Sequence, residues 1–203
     1  PNLTEEEKTP FLKLLFSKQF VLCIVIMICS GASEIGMSQW SSYFAETGLK
    51  VSKMTGDLLG PFLFAVLMGT GRLLFSIFPN KFSVFSLLIF SGGLCTVCYL
   101  TAALSPFPVL ALASCAVCGI SVSIMWPAVL SLAAIRFKNG GALLFGTAAM
   151  FGDLGCIAGP NVAGMIADVK GFSAGFCAVS IFPVLMIVST VILKNRQKGV
   201  NRI

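Results

Sequence analysis

The sequence predicts an all-α polytopic membrane protein, built as a bundle of six transmembrane helices. Of its 203 residues, 57% are hydrophobic and only 11% are charged, and the mean hydropathy is +0.95, which is typical of membrane proteins. Six apolar stretches of about twenty residues follow one another, and each is long enough to cross a hydrocarbon core about 30 Å thick as a helix. Only short polar or Gly/Pro-marked breaks separate them.

The predicted spans are named span one to span six in chain order, with the bounds 20–44, 57–78, 83–103, 109–134, 141–166 and 173–193. Breaks such as Pro79-Asn80-Lys81 are so short that consecutive spans must run antiparallel. The connection 46–56 is longer, and we expect it to begin as a continuation of the first helix.

These spans form a transmembrane domain of residues 20–194, between a cytosolic linker of residues 1–19 and a cytosolic tail of residues 195–203. Residues 10–20 interleave Phe and Leu with Lys, the pattern of a short amphipathic helix that lies in the inner interface before span one. The chain begins at Pro1 without an initiator methionine or a signal peptide, which is typical of a fragment of a longer protein.

Basic residues predict the orientation, because Lys and Arg are disfavoured in short loops on the translocated side. With both termini cytoplasmic, the inner segments carry Lys8, Lys13, Lys18, Lys81, Arg136, Lys138, Lys194, Arg196, Lys198 and Arg202. The outer loops then carry only Lys50, Lys53 and Lys170. The net charge of +6 is therefore spread over loops and does not form the basic face that nucleic-acid binding requires.

Cysteine and histidine usage argues against metal, redox and enzyme chemistry. All eight cysteines fall inside apolar spans, where they are expected to act as small packing residues. The pairs Cys95/Cys98 and Cys115/Cys118 have C-x-x-C spacing, but the chain contains no histidine, so neither a zinc site nor a redox motif is predicted. We expect no cofactor and no intramembrane enzyme.

Apart from Asp57 at the first position of span two, three charged residues lie inside the predicted spans, where a charge is costly and usually lines a cavity, pairs or binds something. Glu34 lies about 21 Å from the inner side of span one, and Asp153 lies near the midplane in span five, both from 1.5 Å of rise per residue. Each acid could line a central cavity, with Glu34 a possible coupling-ion site, or serve helix packing and pairing. Arg72, near the inner end of span two, is expected to act in a gate or hinge.

Aromatic and amide side chains complete the predicted substrate site. Trp40 lies near the outer end of span one, where an indole can either anchor at the headgroups or stack on a ligand. Trp126 lies deeper, beside Pro127, and suits a ring-stacking wall. Gln39 and Asn161 are expected to face the same cavity and to offer hydrogen bonds.

Small residues in span five predict close helix packing and a hinge. Gly152, Gly155, Gly159 and Ala163 form a stripe, and small residues let helices approach closely in lipid. Pro160 follows and removes a backbone donor, so a softened helix is expected there. Together with Gly71 and Arg72 in span two, Gly155, Gly159 and Pro160 are the predicted gating or hinge residues.

The chain resembles the C-terminal six-helix half of a major facilitator superfamily transporter. Beyond six spans with cytosolic ends, the segments that carry this resemblance are 31–40 (GASEIGMSQW), 51–53 (VSK), 56–61 (GDLLGP), 152–156 (GDLGC) and 159–160 (GP). They are similar to the bacterial fucose-permease-like branch. The resemblance implies half of a twelve-helix fold with a 3+3 inverted repeat, located in a bacterial inner membrane.

This resemblance implies a secondary transporter that works by alternating access. The leading hypothesis is proton-coupled symport of a sugar-like solute by a permease, and the second is export of a drug-like amphiphile. A rival is a membrane assembly subunit that moves nothing. The partners are then the solute, a proton, the lipid bilayer, and either the missing N-terminal half or a second copy, because a bare half would expose its cavity face to lipid.

Overall fold

The computed structural model describes residues 15–49, 52–77, 83–137 and 140–200. Its helices are Lys18–Leu49, Lys53–Asp57, a π-helical turn Leu58–Phe62, Leu63–Ile77, Val84–Leu104, Pro108–Val122, Met125–Arg136, Gly141–Lys170, Phe172–Val179 and Ile181–Val200. They make six segments long and apolar enough to cross a membrane. The predicted all-α bundle of six membrane-spanning helices is thereby confirmed.

The observed spans differ from the predicted ones mainly in their interruptions. Span two contains the π-helical turn at Pro61, because proline cannot donate the helical hydrogen bond. Span four breaks briefly at Ser123 and Ile124, and span six breaks at Ser180. Span one continues as a helix to Leu49, as expected. Most of the predicted amphipathic helix 10–20, and the turn 79–81, lie outside the described residues.

In a repeat of three spans, span four corresponds to span one, and spans two and three correspond to spans five and six. The observed packing of the spans agrees with this correspondence. Span one packs against spans five and six, and span four packs in the same way against spans two and three. Arg136 of span four donates a hydrogen bond to Gln19 of span one, so their termini share one end of the bundle, called the Lys18 end. Trp40 contacts Phe172 at the opposite end, called the Phe172 end.

The small-residue stripe of span five lies in the tightest helix crossing. A Cβ atom added to Gly155 would lie 2.0 Å from the carbonyl oxygen of Ile28, and one added to Gly159 would lie 2.3 Å from that of Ala32. Span one also has a glycine at this crossing, since a Cβ on Gly31 would lie 2.1 Å from the carbonyl oxygen of Gly152. Backbone contact at this crossing therefore requires glycine on both helices.

The equivalent crossing of spans two and four is also close. A Cβ on Gly119 would lie 2.2 Å from the carbonyl oxygen of Phe64, and one on Gly71 would lie 2.3 Å from Oγ of Ser123. Gly71 is buried, so it contributes a packing contact beside Arg72. Its predicted gating role stays a prediction.

Six of the eight cysteines are buried and pack in the core: Cys23, Cys29, Cys95, Cys98, Cys115 and Cys118. The two C-x-x-C pairs face each other across spans three and four, and Sγ of Cys95 lies 3.7 Å from Sγ of Cys118.

We expect membrane-permeant copper phenanthroline to join Cys95 and Cys118 as a disulfide. Their sulfur atoms are 3.7 Å apart and need only a small approach to reach the S–S bond length of about 2.05 Å. A protease site inserted at Ser105, in the turn between these two spans, would then cut the chain without separating its fragments on a non-reducing gel. The Cys118→Ser variant serves as the control, and its fragments should separate. Separation of the parent fragments would show that the two sulfur atoms do not meet.

Candidate functional site: two pockets between spans one and five

A central pocket of about 450 Å³ lies among spans one, two, four and five. Its lining residues are Glu34, Arg72, Trp126, Pro127, Leu130, Asp153 and Cys156. Glu34 lies halfway along the helix Lys18–Leu49, and Asp153 lies close to the middle of Gly141–Lys170. The pocket is therefore at mid-depth in the bundle.

An ion pair joins span one to span two in this pocket. Nη2 of Arg72 lies 3.8 Å from Oε1 of Glu34, and the side chains are 46% and 14% exposed, respectively. Charge compensation by a partner is what an acid at this depth requires. The other oxygen of Glu34, Oε2, is buried without a hydrogen-bond partner in the described part of the chain. Glu34 thus keeps an unused acceptor.

Trp126 and Asp153 supply an aromatic face and a second carboxylate. The indole lies on the backbone of Gly152, where an added Cβ would come within 2.6 Å of the ring. Its Nε1 is buried and lacks an acceptor among the described residues. Asp153 is exposed and makes neither an ion pair nor a hydrogen bond with any described residue. The part of the pocket lining that the structure describes therefore holds two acids and one base.

An end pocket of about 560 Å³ lies nearer the Phe172 end, between the same spans one and five. Its lining residues are Gln39, Trp40, Tyr43, Pro160, Asn161, Gly164, Met165 and Asp168. Trp40 is held in an aromatic cluster, with ring centroids 5.9 Å from both Tyr43 and Phe172. A fixed indole forms a rigid wall. Both a stacking role and an anchoring role stay open for it.

All six predicted substrate residues line a pocket, but they divide between the two. Glu34, Trp126 and Asp153 share the central pocket. The other three, Gln39, Trp40 and Asn161, line the end pocket. Their roles in binding stay predictions. The structure does not bring them together into one site.

The predicted hinge residues occupy packing positions and pocket walls. Arg72, expected at an inner gate, lies in the central pocket, because its long side chain reaches back from the end of span two to Glu34. Gly155 and Gly159 lie in the crossing with span one. Pro160 lies inside a continuous helix and lines the end pocket. A motion at these residues stays a prediction.

Asp168 and Tyr43 are two oxygen-bearing pocket residues that the sequence reasoning missed. Asp168 falls beyond 166, the predicted end of span five, but the helix continues to Lys170 and places this acid in the end pocket. Tyr43 lies one turn beyond Gln39. Tyr43 could have been predicted from its spacing, because it follows Gln39 by four positions and residues four apart share one face of a helix.

Residues 171–175 read G-x-S-x-G, the pattern of a hydrolase nucleophile elbow. That elbow needs a strand-to-helix turn and a histidine base. Here the motif begins the helix Phe172–Val179, and the sequence contains no histidine. These five residues therefore start span six and give no reason to predict a hydrolase.

Comparison with known proteins assigns the chain to a family. The model of the Major Facilitator Superfamily matches residues 1–160, well over half of the chain. No curated protein matches it. The chain therefore belongs to the major facilitator superfamily, and it is a secondary transporter protein that handles small solutes within a lipid bilayer.

Proposed function

We propose that this member of the major facilitator superfamily forms one wall of a path for a sugar-like solute, which it moves together with a proton. The central pocket is the observation that supports this proposal, because it places charged and aromatic groups at mid-depth between four spans. Rocking of this bundle against a second six-helix half would open the pocket to each side in turn.

The charges of the central pocket favour coupling to a proton. Arg72 compensates Glu34, which leaves the carboxylate of Asp153 without a counter-charge among the described residues. A neutral solute cannot compensate this carboxylate when the pocket closes and its dielectric constant falls. A proton on Asp153 removes the charge, so a neutral solute and a proton can cross together.

The unpartnered polar atoms favour a hydroxyl-bearing solute. Nε1 of Trp126 can only donate a hydrogen bond, and Oε2 of ionised Glu34 can only accept one. A hydroxyl group both accepts and donates, so hydroxyls on one sugar can satisfy both atoms. The apolar face of a sugar ring can also lie against an indole. These groups are the recognition elements expected for a sugar-like solute.

A second candidate is export of a cationic amphiphile. Asp153 lies in the same pocket as Trp126, and an uncompensated carboxylate with an indole face attracts an organic cation. Such a solute would need no proton on Asp153 while it is bound. It would leave Nε1 of Trp126 unpaired, which is why the sugar-like solute is preferred.

A second six-helix body, the missing N-terminal half or another copy of this chain, is part of the proposal. Spans two and five bury the smallest share of their length within this bundle, and span five lines both pockets. A partner half packed beside these spans would shield the pocket acids from acyl chains, whereas an isolated bundle would expose them at high cost.

Uptake by the full-length protein in proteoliposomes tests this function. Radiolabelled L-fucose, D-galactose and D-mannitol are the sugar-like probes, and tetraphenylphosphonium is the cationic probe. We expect at least one neutral probe to accumulate only when the membrane carries a proton gradient. Movement of tetraphenylphosphonium alone would replace the first candidate by the second, and movement of none of the four would contradict both.

The ion pair predicts a specific pattern of thermal stability. Arg72→Gln leaves the carboxylate of Glu34 without its partner, so we expect it to lower the free energy of unfolding by about 1 kcal/mol, since the arginine is half exposed. The double variant Glu34→Gln/Arg72→Gln removes both charges and should recover most of this loss. Thermal unfolding of the two variants in detergent measures the loss of stability and its recovery. A double variant that is as unstable as Arg72→Gln would contradict the pairing.

A further inference from the structure

We propose that the end pocket is a second binding site for the transported solute, separate from the central pocket and lying before it on the path from the Phe172 end. The inference rests on the proposed function for its sugar-like solute. It goes beyond that function because the sequence placed Gln39, Trp40 and Asn161 in a single central cavity.

The two pockets are displaced along the same pair of helices. Trp40 follows Glu34 by six positions, about 9 Å of helical rise, and Asn161 follows Asp153 by eight positions, about 12 Å. No residue in the described part of the chain lines both pockets. A solute bound against Trp40 therefore occupies a different place from one bound against Trp126.

The same chemistry recurs in both pockets. Each contains one tryptophan and one aspartate of span five that has no ion pair or hydrogen bond among the described residues: Trp126 with Asp153, and Trp40 with Asp168. Among the described residues neither aspartate has a compensating base, because the arginine of the central pocket lies beside Glu34. An indole face beside a free acceptor suits the same class of solute at both places.

The end pocket also has the amide groups that hydroxyls require. Nδ2 of Asn161 donates to the carbonyl oxygen of Ile157 at 2.7 Å, which fixes the amide and leaves its Oδ1 as an acceptor. Gln39 offers both a donor and an acceptor. The ring of Trp40 lies over Gly164, where an added Cβ would be 3.5 Å from the ring. Because the described residues of its lining include no base, the pocket disfavours anions.

Pro160 provides a polar group at the boundary between the pockets. It lines the end pocket, whereas Cys156, four positions earlier, lines the central pocket. Because proline has no N–H group, the carbonyl of Cys156 cannot receive its usual helical hydrogen bond. This carbonyl can accept a hydroxyl of a solute that passes from one pocket to the other.

Equilibrium binding to the purified full-length protein tests the two-site arrangement, with radiolabelled L-fucose, D-galactose and D-mannitol as probes. For a probe that is transported, we expect about two bound molecules per chain. Asp168→Asn and Trp40→Ala should each reduce this number to about one. Glu34→Gln should also leave about one, held in the end pocket. Asp168→Asn preserves the shape of the side chain, and its melting temperature checks that it folds.

The outcomes separate this inference from the proposed function. One bound molecule per chain with normal uptake, or a number that neither Asp168→Asn nor Trp40→Ala changes, would overturn the second site alone. Absence of both binding and uptake for all three probes would overturn the sugar-like function itself. Two bound molecules of tetraphenylphosphonium, with no sugar bound, would overturn the assigned class of solute.

Discussion

Neutralising either pocket acid, as Glu34→Gln or Asp153→Asn, is expected to reduce proton-driven uptake by the full-length protein by roughly 100-fold, a loss that corresponds to about 3 kcal/mol. Glu34→Gln removes the partner of Arg72 and the acceptor offered to the solute. Asp153→Asn removes the carboxylate proposed to carry the proton. Initial uptake rates in proteoliposomes, corrected for the amount of folded protein, give the measurement.

Glu46→Gln is the matched control for this prediction. Glu46 is an acid of the same helix, Lys18–Leu49, but it lines neither pocket. Its uptake rate should stay within about twofold of the parent, as for surface changes away from a site. Parent-like uptake by both Glu34→Gln and Asp153→Asn would remove the central pocket from the transport path.

Gly155→Ala is expected to be the most destabilising single methyl added to span five. The new Cβ would lie 2.0 Å from the carbonyl oxygen of Ile28, so spans one and five must separate. Overpacking of this kind costs about 1–3 kcal/mol, and here the obstacle is backbone, which cannot rotate away. The melting temperature of the purified protein and the yield of folded protein should both fall.

Gly146→Ala on the same helix is the control, since an added Cβ there meets nothing within 4 Å. It should leave stability unchanged or raise it slightly, because alanine is favoured over glycine in helices by about 1 kcal/mol. Equal melting temperatures for Gly155→Ala and Gly146→Ala would show that the two spans do not touch at Gly155.

The bundle could be predicted from sequence because lipid imposes strong constraints. Apolar stretches must be long enough to cross and must satisfy their backbone hydrogen bonds as helices, so six spans followed directly from composition. The glycine stripe of span five also indicated a close crossing, and Gly155 and Gly159 lie in it. The break at Ser123 was not predicted, since serine is compatible with a helix.

The arrangement of the candidate site was harder to predict. The cost of placing a charge in the membrane identifies Glu34, Asp153 and Arg72 as individual candidates. The pairing of Glu34 with Arg72, however, depends on how the fold packs span two beside span one. The division into two pockets has the same origin. Glu34 and Trp40, about 9 Å apart along one helix, line different cavities, and which cavity each one lines depends on how span five packs against span one.

Thiol labelling tests the central claim, that the pocket around Glu34, Arg72 and Asp153 is an aqueous cavity midway through the membrane. Leu130→Cys places a thiol in the pocket lining, and Phe90→Cys places one on span three at a residue that is 69% exposed and lines neither pocket. In the full-length protein in vesicles, with sites located by peptide mapping, a charged methanethiosulfonate should modify Leu130→Cys and spare Phe90→Cys. An unmodified thiol at position 130 would contradict the account.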